Sequence, residues 1–186
     1  MVGAKPANGP HPEHRLFYHA TGLSDKQLEL ILELDVKADP ELNSGVQFRS
    51  LIANEEMSFE TQGKDRKKAN RKIPKDRVYG YQVEIATRKS SASGNVYDEA
   101  RRARFLDDFS NRPRARDAFR DEKWNKYRIE YKGDSIKTWV NGIPAAGFKD
   151  SMTTKAIIGI QVHQVPRDKF KPYQVRWRNI RIQELK

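Results

Sequence analysis

Cysteine is absent from this 186-residue chain, which excludes disulfides and thiolate-held metal sites. Long apolar runs are missing too: none reaches ten residues, where a membrane-spanning helix needs roughly 20. Met1 to Glu13 contains Pro, Gly and His but no basic segment leading into an apolar stretch, so no signal peptide is expected in this stretch. Histidine is scarce, and His11, His14 and His19 crowd into the N-terminal lead, where they are assigned nothing. The length suits one domain with a real core rather than two.

Acidic charge is in deficit, leaving a formal net charge of +11. Such an excess raises nucleic acid or another anion as a partner. Much of it is concentrated in Lys64 to Arg77, broken only by Asp65 and Asp76, which reads as a long solvated basic loop spanning 61–77. No zinc-finger spacing, helix-turn-helix pattern or RNA-binding aromatic motif accompanies the charge, which weighs against nucleic acid.

What the chain does have is alternation. Leu28, Leu30, Leu32, Leu34 and Val36 alternate with Glu29, Ile31, Glu33, Asp35 and Lys37, a period-two pattern that predicts a half-buried strand. Further strands are predicted at Leu16–Tyr18, Gly45–Ile52, Tyr79–Ala86, Trp124–Tyr131, Ile136–Val140, Ile157–Val162 and Tyr173–Ile182. Turn chemistry separates them, including Lys132-Gly133-Asp134-Ser135 and the hairpin signal Asn141-Gly142. Thr21 to Gln27 is read as a turn, and Pro113 to Arg120 has room for a short helix. The expectation is an all-β jelly-roll sandwich of two antiparallel sheets, with residues 1–15 a disordered lead and 16–186 one domain.

Three strands share a scheme. On the face opposite their apolar residues they present Gly45, Gln47 and Arg49; Gly80, Gln82 and Glu84; and Gly159, Gln161 and His163. If the strands share a sheet, these faces merge into one polar patch, which is the candidate site. Taken singly, Glu84 reads as readily as a solvated carboxylate and His163 as a structural histidine. Arg49 could serve only as a cross-strand partner for Glu84.

Seven motifs recur in order: Asn43-Ser44-Gly45-Val46-Gln47-Phe48-Arg49, Tyr79-Gly80-Tyr81-Gln82-Val83-Glu84-Ile85, Tyr97-Asp98-Glu99-Ala100-Arg101-Arg102, Trp124-Asn125-Lys126-Tyr127, Trp139-Val140-Asn141-Gly142, Ile160-Gln161-Val162-His163 and Arg178-Asn179-Ile180-Arg181-Ile182. Together they resemble the 3-keto-disaccharide hydrolase domain family, also described as 3-keto-glucoside 1,2-lyase / 3-keto-2-hydroxy-glucal hydratase domains, over roughly Leu28 to Leu185. The resemblance implies a concanavalin A-like jelly roll. Members usually carry a longer N-terminal segment and are often exported. Edge strands are therefore expected to be missing here, or the chain begins downstream of the natural start. The expected location is periplasmic or extracellular in the latter case and cytoplasmic otherwise.

The activity implied is cleavage of a glycoside already oxidised at C3: loss of the C2 proton, departure of the C1 substituent, and rehydration to 3-keto-glucose. That chemistry needs a base, a group to hold the enolate oxygen, and an acid for the leaving group. Glu84 or His163 is the expected base and Arg49 the enolate-holding cation. Gln47, Gln82 and Gln161 would bind hydroxyls, Tyr97 would serve as acid or sugar contact, and Trp139 as a stacking platform. A divalent metal held by Glu84 and His163 stays open as a cofactor. Two rival classes remain: a non-catalytic carbohydrate-binding jelly roll, and an anion-binding protein using the basic loop.

Overall fold

In the computed structural model the alternating segments pair into two antiparallel sheets laid face to face, an all-β jelly-roll sandwich. The structure describes residues 14–18, 29–40, 42–62, 68–87, 90–153, 157–163 and 173–185. The N-terminal lead to Glu13 and the turn expected at Thr21 to Gln27 lie outside them. In chain order the strands are β1 (His14–Tyr18), β2 (Leu30–Ala38), β3 (Ser44–Ile52), β4 (Met57–Gln62), β5 (Lys68–Ile73) and β6 (Val78–Ile85). They continue with β7 (Val96–Glu99), β8 (Asn125–Lys132), β9 (Ser135–Val140), β10 (Ile143–Lys149), β11 (Ile157–Val162) and β12 (Val175–Glu184). A one-turn helix, α1 (Pro113–Arg116), starts on proline, whose fixed φ suits a first helical position.

The front sheet has the order β1-β11-β3-β6-β7 and the back sheet β10-β9-β8-β2-β12. The short strand expected at Leu16–Tyr18 is present as β1 and pairs along β11 at the edge of the front sheet. Between the sheets lies the core that the alternation predicts. Leu30, Leu32, Leu34, Val36 and Ala38 of β2 point inward while their neighbours do not. From β8 and β9 come Tyr127, Ile129, Tyr131, Ile136 and Val140; from β3 and β6, Val46, Phe48, Tyr81, Val83 and Ile85. Phe48 bridges the layers, its ring 5.6 Å from Tyr81 and 5.7 Å from Tyr131.

Strict alternation puts Arg49 on the outer face beside Gln47. The structure does not, because the β3–β6 register shifts between Phe48 and Ser50, and Arg49 takes a φ of 43°. This is a β-bulge, in which one extra residue re-aims the side chains that follow. Arg49 turns into the sandwich, 1% exposed, with its guanidinium 4.5 Å above the Tyr131 ring and Nη1 donating to Gly133 O at 2.8 Å. Ser50 takes the outer-face position that Arg49 gives up and bonds to Gln47. Opposite the bulge, Gly80 has a φ of 126°, and a Cβ there would stand 2.9 Å from Ser50 Cα. Only glycine fits both conditions.

The basic stretch also departs from expectation. Rather than a solvated loop throughout, Lys68–Ile73 is a strand paired with Met57–Gln62 in a two-stranded sheet. Its basic side chains find local partners, with Lys68 on Glu60 at 3.0 Å and Lys72 on Glu56 at 3.2 Å. Charge is organised by strand pairing on the back sheet too, where Arg128 stands across from both Glu33 and Trp139.

Beside β7 lies a buried ionic cluster. Asp98 is fully buried and accepts from Arg101 Nε at 2.9 and 3.1 Å and from Arg102 Nε. Arg101 reaches Thr153 Oγ1 at 2.6 Å, and Arg102 reaches Asp150 at 2.6 Å. Asp150 also accepts from the Tyr81 hydroxyl. The Asp98–Arg102 motif is thus a clamp fixing the turn after β7. Removing the anion from such a cluster leaves the Arg101 guanidinium buried without a carboxylate and Arg102 with Asp150 alone, a loss of about 3–5 kcal/mol. Asp98→Ala is expected to lose that much unfolding free energy in a urea titration, and a variant within 1 kcal/mol of the parent would refute the clamp.

Candidate active site

β11, β3 and β6 are adjacent in the front sheet, so the three polar faces do merge. Register brings Gln161 across from Gly45 and Gly45 across from Glu84. In the next row Gln47 faces Gln82, which faces Tyr97 of β7. On this outer face opens a cavity of about 330 Å³, lined by Asn43, Gln82, Glu84, Tyr97, Glu99, Phe105, Gln161 and His163. Its volume falls in the range of small-molecule sites, roughly 300–1,000 Å³.

Glu84 lines this cavity and is 7% exposed. Asn43 Nδ2 donates to its Oε2 at 3.0 Å and Gln82 Nε2 to its Oε1 at 2.9 Å. Burial pushes the Glu84 carboxyl above its ordinary range, and nearby Glu99 adds to the rise. The bonds from Asn43 and Gln82, together with His163, oppose it without cancelling it. The result is a carboxyl whose charged form is disfavoured relative to that of an exposed glutamate. Burial likewise raises the Tyr97 phenol, again with Glu99 contributing, while Arg71 of β5 pulls the other way.

Gln82 owes its place to glycine. Its side chain lies over Gly45, where an added Cβ would meet Gln82 Cγ and Cδ at 2.6 Å. His163 follows β11, is exposed, and its backbone N–H donates to Asn43 O at 3.3 Å, which ties the two cavity walls together. Gln161 is 2% exposed, and its Oε1 has no hydrogen-bond partner among the described residues. A buried acceptor of that kind, beside a cavity, is free to accept from a water or from a ligand hydroxyl.

Of the residues the sequence singled out, the structure gathers Gln82, Glu84, Tyr97, Gln161 and His163 around the cavity. Gln47 does not line it; it lies behind Gln82, donating to Gln82 Oε1 at 2.6 Å. Arg49 is turned inward by the bulge, and Trp139 lies on the outer face of the back sheet under Arg128, 5.6 Å from its ring. Neither reaches the cavity. Three lining residues escaped sequence reading. Glu99 lies two residues beyond Tyr97 on β7, so alternation could have found it. Asn43 sits in the turn before β3, and Phe105 reaches the site by an isolated bridge to Tyr97 that no local pattern announces. Glu99 is paired with Arg77 at 2.5 Å. Among the described residues no three His, Cys, Asp or Glu side chains come together as a metal site. No helix among them is long and apolar enough to cross a membrane.

Comparison with known proteins agrees with this architecture. The profile of the 3-keto-alpha-glucoside-1,2-lyase-like domain matches residues 16–183. No curated protein matches. Among solved structures, the carbohydrate-binding module CBM66 from Bacillus subtilis aligns with a TM-score of 0.50 at 13% identity, covering 84% of this chain and 75% of its own. A Parabacteroides distasonis protein described provisionally as a glycosyl hydrolase aligns at 0.48 and 14% identity, covering 85% and 72%. Caenorhabditis elegans galectin LEC-6 aligns at 0.36 and 12% identity, covering 83% and 89%. At such identities the first of these speaks to the fold alone.

The raised pKa of Glu84 has a thermodynamic sign. A carboxyl whose folded pKa exceeds its unfolded value binds more protons in the native state, so its contribution to stability falls as pH rises from the ordinary carboxyl range through the elevated value. Glu84→Gln removes that penalty. The variant is expected to melt at a higher temperature than the parent at pH 7, with the gap closing below the ordinary carboxyl range. Equal melting temperatures at both extremes would contradict a strained carboxylate.

Proposed function

This chain belongs to the 3-keto-alpha-glucoside-1,2-lyase-like domain family, and on that footing we propose that it cleaves 3-keto-glycosides by 1,2-elimination and rehydration. The observation that carries the reading is the Glu84 carboxyl, buried in the lining of a polar cavity and raised above its ordinary range. General-base catalysis is most efficient when the base's pKa is close to the working pH.

A ketone at C3 acidifies the C2 hydrogen. Glu84, ionised, takes that proton; its amide partners occupy one lone pair on each oxygen and leave others for the substrate. The electron pair moves toward the C3 oxygen as an enolate, and its collapse expels the C1 oxygen as the alcohol once protonated. His163 at the mouth and Tyr97 across from Gln82 are the groups placed to supply that proton. Water then adds across the C1–C2 double bond, the new oxygen bonding to C1 and a proton returning to C2. The net change is keto-glycoside plus water to 3-keto-glucose plus alcohol. Hydrogen-bond donors take the part that Arg49 cannot play from the interior: Asn43, Gln82 and His163 line the cavity that would hold the enolate oxygen. Gln161 Oε1 accepts from a sugar hydroxyl.

The test is release of aglycone from a 3-keto-glucoside and from its unoxidised parent. Release is expected from the keto compound alone. Loss of a general base costs roughly 10²–10⁴-fold, so Glu84→Gln is expected to fall by that factor. His163→Ala is expected to slow release of poor leaving groups more than good ones. A folded protein that binds a keto-sugar and releases nothing would instead be a carbohydrate-binding module.

A further inference from the structure

Behind the cavity the hydrogen bonds continue in single file. Ser50 Oγ is 2.7 Å from Gln47 Oε1, Gln47 Nε2 is 2.6 Å from Gln82 Oε1, and Gln82 Nε2 is 2.9 Å from Glu84 Oε1. All four side chains are buried. Each amide has one donating and one accepting end, while a carboxylate can only accept. Ionised Glu84 therefore dictates the orientation of every member. Gln82 must turn its NH2 toward Glu84, which leaves its carbonyl for the Gln47 NH2, which leaves the Gln47 carbonyl for the Ser50 hydroxyl.

Protonation lifts that constraint. A carboxylic acid can donate, so Gln82 can present its carbonyl to Glu84 and its NH2 to Gln47. Gln47 can then turn its own NH2 to Ser50 Oγ. The reversed chain is also satisfied at its far end. Ser50 Oγ lies 2.9 Å from Tyr81 O and 3.1 Å from Phe48 O, acceptors for the hydroxyl hydrogen once Gln47 no longer takes it. Both polarities thus close without an orphaned group, which is what a two-state element requires. Ser50 is available at that position because the bulge at Arg49 delivers it to the outer face.

We propose that Ser50 and Gln47 are positioning residues of this site: with Gln82 they form a reversible hydrogen-bond chain whose polarity follows the proton on Glu84. The role of Glu84 as base rests on the reading above; the chain itself does not. In the ionised orientation, three aligned dipoles point their positive ends at the carboxylate. In the protonated orientation they reverse, so the proton Glu84 takes from a substrate is accommodated by rotating amides rather than by moving backbone. The titratable groups that bear on Glu84 are Glu99 and Tyr97 of β7, His163 after β11 and Tyr127 of β8. Gln47 and Ser50 carry no charge, so replacing them leaves those groups in place and alters the chain alone.

The experiment is a titration of the full chain by NMR, with the Glu84 side-chain carboxyl carbon and the Gln47 and Gln82 side-chain NH2 groups followed together. In the parent, the NH2 resonances of both glutamines are expected to shift with the same midpoint as the Glu84 carboxyl. Gln47→Met, close in shape but without the amide, is expected to raise the Glu84 midpoint by about half to one pH unit, the loss of one hydrogen bond's worth of support for the charged form. Ser50→Ala is expected to raise it by less. If both variants keep the parent's amide dispersion and midpoint, or if Gln47 NH2 in the parent ignores the Glu84 titration, the chain is static and the proposal falls. Should Gln47→Met not fold, the parent titration and Ser50→Ala still decide. Where turnover is present, the acid limb of the kcat/KM profile is expected to move with the NMR midpoint. Shifted midpoints in a protein that turns nothing over would uphold the chain and remove the lyase reading.

Discussion

The outer face of the front sheet depends on one constraint, the bulge at Arg49 against Gly80. A single extra residue in β3 exchanges which side chains face the cavity and which face the core. It takes a permanent cation away from the cavity side and seats it over Tyr131, where the aromatic face and Gly133 O compensate its burial. It brings a hydroxyl into line with Gln47, Gln82 and Glu84. Gly80 makes the arrangement sterically allowed, and Phe48, one residue before the bulge, locks the strand to both sheets through its ring contacts. The cavity's polarity is therefore a product of backbone geometry as much as of residue type.

Two kinds of buried charge coexist in this domain, and they are handled in opposite ways. Asp98 is surrounded by guanidiniums and serves as a fastener for the turn after β7. Among the described residues Glu84 accepts from two neutral amides, Asn43 and Gln82, with a second carboxylate, Glu99, and His163 nearby. The first environment pairs a carboxylate with cations; the second, by burial, raises the carboxyl above its ordinary range. The contrast separates the acid that holds structure from the acid suited to proton transfer, as expected when functional groups are tuned by environment rather than by identity.

Much of this was legible in the residues. Period-two alternation located eight of the ten strands of the two sheets, β7 and β10 apart, because each sheet is buried on one side and the pattern is strict in segments such as Leu30–Ala38. The shared small-Gln-ionisable scheme placed Glu84, Gln82 and Gln161 on one surface. What failed did so for identifiable reasons. Arg49 was misplaced because a bulge leaves no trace in alternation, and the signal it did leave, Gly80, is ambiguous in a sequence. Trp139 follows alternation faithfully, but on the other sheet, and nothing local says which layer a strand will join. The basic segment hides a hairpin because its strand side chains are nearly all exposed, so no hydrophobic period marks it. Phe105 arrives through a tertiary bridge.

The contact of Gln82 with Gly45 carries one more implication. The space a side chain at 45 would need is already filled by the amide at 82. The two positions behave as one unit of variation: a larger residue at 45 evicts Gln82, and a shorter residue at 82 opens room at 45. Changes at the pair are non-additive by construction. A redesign of the cavity floor that samples them one at a time would find dead ends, while sampling them jointly opens sequences that no single step reaches.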